Sequence, residues 1–130
     1  MLKGIEDLAV VRALVNLHIE GANGNAAMID EAFHPQARMA ENAGGFVHDN
    51  VPIGAFISFV AENPGMAGPN YATDVRLVDL RGDAGVAVLA EHDWMDCEFV
   101  DYFSVAREND RWWITNKTYA CTRFGPPTTV

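Results

Sequence analysis

Apolar residues follow two different periods along this chain. In the first half they recur at helical spacing. Leu8, Val11, Leu14, Val15 and His18 form one stripe over 4–20, and Arg12, Asn16 and Glu20 share a polar line. Gly21-Ala22-Asn23-Gly24 then breaks the helix, because these residues tolerate positive φ. Asn25 is placed to cap a second, short helix over 26–33, with Ile29, Ala32 and Phe33 inward and Pro35 as its stop. A short strand is expected over 36–41. Pro52 suits the first turn of a third helix, whose stripe is Ile53, Phe56, Ile57 and Val60 and whose end is Asn63-Pro64-Gly65.

From Tyr71 onward the pattern alternates. Strands are expected over 71–81, 86–94, 99–107 and 111–121, and the short turns between them make neighbours antiparallel. Helices followed by a meander predict an α+β domain spanning 1–130. Its expected form is a cone-shaped, curved antiparallel sheet with about three N-terminal helices on its concave face. The tail over 125–130, rich in Pro and Thr, is expected to fray.

The last hairpin carries the chemical lead. If Asn109-Asp110 centres a turn of two or four residues, 107 pairs with 112, 105 with 114, 103 with 116 and 101 with 118. One face then holds Phe99, Asp101, Phe103, Val105, Trp112, Ile114, Asn116 and Thr118, and a three-residue turn would mix the sets. Under this register Asp101 sits where an apolar residue belongs, grouped with Asn116 and Thr118. Burial there raises a carboxylate's pKa and makes it a candidate acid or base. The competing reading is an anchor that bonds Asn116, Thr118 or a helix end. His18, on the apolar stripe of the first helix, is the candidate partner, or else a satisfied core histidine. His92 and Trp94 join this face if the turn near Asp96 has the right parity. His34 is expected to cap helix-end carbonyls and His48 to lie exposed in a Gly-rich loop. The opposite face carries Tyr102, Trp113, Lys117 and Tyr119, and aromatics on an open sheet face predict a homodimer packed sheet to sheet.

Charge and composition mostly exclude. A net charge of −9 opposes nucleic acid and anionic membrane surfaces. Neither a signal peptide nor a run of ~20 apolar residues is visible, which predicts a cytoplasmic protein. Cys97 and Cys121 lack ligand spacing, so reduced thiols and no metal are expected. The absence of a Gly-rich phosphate loop or nucleophile elbow predicts no cofactor and no acyl or phosphoryl chemistry.

Glu20-Gly21-Ala22-Asn23-Gly24-Asn25-Ala26, Ala32-Phe33-His34-Pro35-Gln36-Ala37-Arg38, Asp101-Tyr102-Phe103-Ser104 and the segment from Arg111 to Thr118 together resemble the nuclear transport factor 2-like superfamily. Within it they resemble the lumazine-binding and SnoaL-like branch, over roughly residues 5 to 122. The resemblance implies a cone-shaped α+β barrel, usually dimeric, with a pocket between sheet and helices. Ketosteroid isomerase, scytalone dehydratase and polyketide cyclases share that fold. The isomerase carries a Tyr on its first helix and acids in the cone. His18 and Asp101 stand at the corresponding places here, a departure that leaves the isomerase reaction behind. Three functions follow as expectations. The first is a binder of a small apolar or aromatic molecule, and the second a cofactor-independent isomerase, dehydratase or cyclase using Asp101 and His18. The third is a structural dimer with a filled cone.

Overall fold

The computed structural model describes residues 2–43 and 46–123. The tail over 125–130 and the side chain of His48 lie outside the described part. Among the described residues three helices form, α1 (Leu2–Ala22), α2 (Ala26–Ala32) and α3 (Ile53–Glu62). Six strands follow or intervene: β1 (Phe33–Ala43), β2 (Phe46–Pro52), β3 (Ala67–Arg81), β4 (Ala84–Trp94), β5 (Cys97–Glu108) and β6 (Arg111–Arg123). They make one curved sheet in the order β2-β1-β6-β5-β4-β3, with the helices on its concave side, and it does not close into a barrel. None of the described helices is long and apolar enough to cross a membrane.

The expected α+β layering is present, with two corrections to the strands. β2 is an added strand, paired antiparallel with β1. The seam between β1 and β6 is parallel, whereas all other pairs are antiparallel. Parallel partners need a long crossover, and here the whole meander supplies it. Pro35 falls in the irregular stretch between the Phe33 and Arg38 pairings, where a missing N–H costs no ladder bond.

α1 buries Val11, Leu14, Val15, His18 and Ala22, while Leu8 stays largely exposed. Its apolar face meets Ile29, Phe33, Phe103 and Ile114, which form the centre of the core. Two indole N–H groups tie α1 to the sheet. Trp112 donates to Asp7 (3.1 Å) near the start, and Trp94 donates to Asn23 (3.1 Å) just beyond the end. Two local expectations change. Asn25 occupies the N-cap of α2 but its side chain makes no capping bond. His34 accepts the Gln36 N–H at Nδ1 (3.0 Å) instead of capping carbonyls, because the chain turns straight into β1 at Phe33.

α1 and α2 approach closely at Gly21. A Cβ there would stand 2.9 Å from the Ile29 backbone N and collide with the Ile29 side chain. Gly21→Ala is therefore expected to cost about 1–3 kcal/mol, read as a lower urea midpoint with an unchanged m-value.

Candidate functional site

The Asn109-Asp110 turn has φ of 53° and 62°, the signature of a two-residue hairpin turn. Arg107 pairs with Trp112 and Val105 with Ile114, as the alternation predicts. Above that point the register shifts. Ser104 pairs with Asn116, Phe103 with Lys117, and Asp101 with Tyr119. Thr115 is the extra residue, a β-bulge whose hydroxyl donates to the Ser104 carbonyl (3.2 Å). One added residue reverses the facing of everything beyond it. Lys117 and Tyr119 thus turn inward, and Asn116 and Thr118 turn away from Asp101. Asn116 donates to Thr118 (3.4 Å) on that other side. This corrects the expected polar patch of Asp101, Asn116 and Thr118. It also moves Lys117 and Tyr119 off the outer face where a dimer contact was expected.

A second break in alternation relocates His92. Asp93 has φ of 59°, and the β4–β5 register shifts between Glu91 and Trp94. His92 consequently points outward, 47% exposed and against Glu98, while Trp94 is buried. Phe103 is a core residue packed edge-on under His18 (ring centroids 5.1 Å apart).

Between helices and sheet lies a cavity of about 490 Å³. Met39, Val51, Ala55, Phe56, Phe59, Trp94, Met95 and Phe99 give it apolar walls. His18, Glu41, Glu91, Asp101, Lys117 and Tyr119 are among its polar lining. His18 is held by Phe33, Phe56 and Phe103 and is almost fully buried. Its Nε2 lies 3.0 Å from Lys117 Nζ and 4.0 Å from Asp101 Oδ2. Lys117 Nζ is also 4.0 Å from Asp101 Oδ2 and sits over the Phe56 ring, 4.0 Å from its centroid. Glu91 accepts the Tyr71 hydroxyl (2.7 Å). His18 and Asp101, expected as a pair, do share the cavity. The sequence reading missed Glu91, Lys117 and Tyr71. Glu91 shares a face with Ala87 and Leu89, a signal that was present. Lys117 was hidden by the bulge.

Environment separates the two candidates. Burial holds His18 well below the ordinary imidazole value, and Lys117 adds to the shift, so the ring is neutral near pH 7. An ammonium at Lys117 donates to Nε2, which assigns the proton of the neutral ring to Nδ1. Burial pushes Asp101 from 3.8 up to about 8; Lys117 opposes this and the neighbouring Glu91 reinforces it. His18 Nδ1 has no hydrogen-bond partner among the described residues, and the protonated Asp101 carboxyl shares its proton with the neighbouring Glu91. His18, Glu91 and Asp101 bring candidate metal ligand atoms within 4.8 Å of one another. Lys117 already presents its amino group there, and an ion would have to displace it.

Residues 6–120 match the family described as "Putative lumazine-binding", and the chain belongs to that family. No curated protein matches it. Among solved structures it is similar to an NTF2-like protein of unknown function from Shewanella baltica OS155 (TM-score 0.83, 16% identity, 92% of this chain and 97% of that one). Another NTF2-like protein of unknown function, from Methylobacillus flagellatus KT, aligns with TM-score 0.80 and 20% identity over 91% of this chain and 94% of that one. A ketosteroid isomerase-like protein from Erwinia carotovora atroseptica SCRI1043 aligns with TM-score 0.66 and 11% identity over 92% and 98%. These likenesses speak to the fold alone, which is NTF2-like.

The Asp101 shift has a thermodynamic sign. Between pH 3.8 and about 8 the folded chain holds a proton that the unfolded chain has lost. This group's contribution to stability therefore falls as pH rises, by up to ~1.4 kcal/mol per unit. His18, depressed below 6.5, gives the opposite slope only below that pH. Asp101→Asn is thus expected to gain stability relative to the parent between pH 6.5 and 8, with the difference levelling above 8, as measured by urea melts across that range.

Proposed function

We propose that the protein binds a small, largely apolar or aromatic molecule with its polar end against Asp101 and Lys117. The observation that carries this reading is the buried pair of Asp101 and Lys117, 4.0 Å apart and so not in direct contact, lining an apolar-walled cavity. An unsatisfied buried polar group costs roughly 1–3 kcal/mol, which a ligand's polar end offsets. The family description names lumazine. A fused heteroaromatic ring with adjacent N–H and C=O groups suits a carboxyl beside an amino group, so lumazine is the first probe. Native mass spectrometry of freshly purified protein is expected to show a retained small molecule or, on titration, a 1:1 lumazine complex. Absence of both, with an unfolding midpoint unmoved by lumazine and by simpler aromatics, overturns the reading.

A second reading rests on the separation of Asp101 and His18. A carboxyl titrating near 8 and a neutral imidazole 4.0 Å away are an acid and a base within reach of one bound molecule. This supports cofactor-independent proton transfer next to a carbonyl, with the neighbouring groups stabilising the enolate. Exchange of a cyclic ketone's α-protons into D2O, followed by NMR, is expected to be catalysed and to be lost in Asp101→Asn. Exchange at the solvent rate rejects catalysis and leaves binding in place.

We also propose that the outer face pairs two copies of the chain. Tyr102, Val86 and Leu77 are exposed there, and Trp113 lies half-buried under Arg111. Such apolar exposure supports a sheet-to-sheet homodimer. Sedimentation at low micromolar concentration is expected to give twice the chain mass, and a monomer overturns it.

A further inference from the structure

We propose that Lys117 forms an imine with a small aldehyde or ketone held in the cavity, an inference that rests on the binding reading above and names the ligand class. The chain has only two lysines, Lys3 and Lys117. The hydrogen-bonded cationic pairs described on its surface use arginine, with Arg38 on Asn50 and Arg107 on Asp7 and Asp83. Lysine, unlike arginine, is able to give up its proton and act as a nucleophile.

The placement of Lys117 does not match that of a structural ion pair. The residue is 4% exposed, yet its nearest described carboxylate oxygen is 4.0 Å away. A charge-assisted bond would bring nitrogen and oxygen to about 2.7–2.9 Å. Its described hydrogen-bond partner is instead the neutral imidazole of His18, at 3.0 Å. The amino group lines the cavity between the rings of Phe56 and Tyr119, 4.0 and 5.2 Å from their centroids.

The neighbours complete the step. His18 Nε2 takes one proton from the ammonium, and the freed amine attacks the carbonyl carbon. A C–N bond forms and the C=O π pair moves to oxygen, which takes the Asp101 proton. The new ammonium centre returns a proton to Asp101, leaving a neutral carbinolamine. The imidazolium then protonates the hydroxyl, which departs as water as the nitrogen lone pair closes the C=N bond. One ammonium and one carbonyl become one protonated imine and one water. His18 and Asp101 end as they began, and nothing is oxidised or reduced. Asp101 suits this role because it keeps its proton near neutrality.

Wild-type protein is incubated with benzaldehyde and sodium cyanoborohydride at pH 7, then digested for peptide mass spectrometry. A benzyl group is expected on Lys117 about tenfold faster than on Lys3, reflecting proximity and orientation in the cavity. The preference is expected to vanish in urea, and Lys117→Arg to lose the modification. Benzyl alcohol has the same ring without a carbonyl, so its shift of the wild-type unfolding midpoint reports the cavity alone. Labelling of Lys3 and the chain terminus without Lys117, with the benzyl alcohol shift intact, overturns the imine and leaves the binding reading standing. Loss of the benzyl alcohol shift together with the labelling overturns both. The wild-type labelling map decides the matter even if Lys117→Arg does not fold.

Discussion

Strand β6 has to face two ways. Near the turn its inward positions are Trp112 and Ile114, which complete the apolar core. Farther up the inward positions are Lys117 and Tyr119, which line the cavity. A strand with uninterrupted alternation would present Asn116 and Thr118 instead. The extra residue at Thr115 resolves the conflict, and the polar end of the cavity depends on it. It brings Lys117 to His18, fixes the neutral imidazole's tautomer, and sets a cation near Asp101. Bulges are commonly found where a sheet re-aims a side chain beside a site.

The cluster that results is electrostatically expensive. His18, Glu91, Asp101 and Lys117 are all buried in a chain of net charge −9. Ionised groups removed from water need close partners, and these are only partly paired. The protein meets the difficulty by keeping groups neutral where it can, with a depressed imidazole and a raised carboxyl. It also holds the roof firmly. The aromatic rings of Phe33, Phe56 and Phe103 fix His18, and the two indole bonds anchor both ends of α1. The proposed binding reading rests on this partly paired polar cluster among apolar walls.

Where the sequence spoke through periodicity, it was legible. The α1 stripe from Val11 to His18 and the α3 stripe from Ile53 to Val60 follow the 3.6-residue period, and both are buried. The lower half of the last hairpin was legible because Asn109-Asp110 admits positive φ at both positions. Asp101 was found because a carboxylate interrupts an apolar face. What failed was parity beyond local irregularities. Nothing in Ile114-Thr115-Asn116 marks a bulge, and a lone lysine on an amphipathic strand reads as solvated surface. Asp93 hid the outward turn of His92 in the same way. β2 was missed because the stretch before Pro52 carries little alternation, and the parallel β1–β6 seam because it depends on global topology.

That parallel seam bears on how the chain acquires its shape. Phe33 pairs with Ile114, and Glu41 with Tyr119, so an early strand finds its neighbour in the last one made. Such distant pairings close late, since the intervening chain must first be ordered. During synthesis α1, α2 and β1 emerge first, and the core they share with Trp112 and Ile114 is completed only when β6 arrives. The segment that turns Lys117 inward is thus also the segment that supplies the last members of the core, Trp112 and Ile114. Completion of the core and assembly of the cavity's polar end are one event.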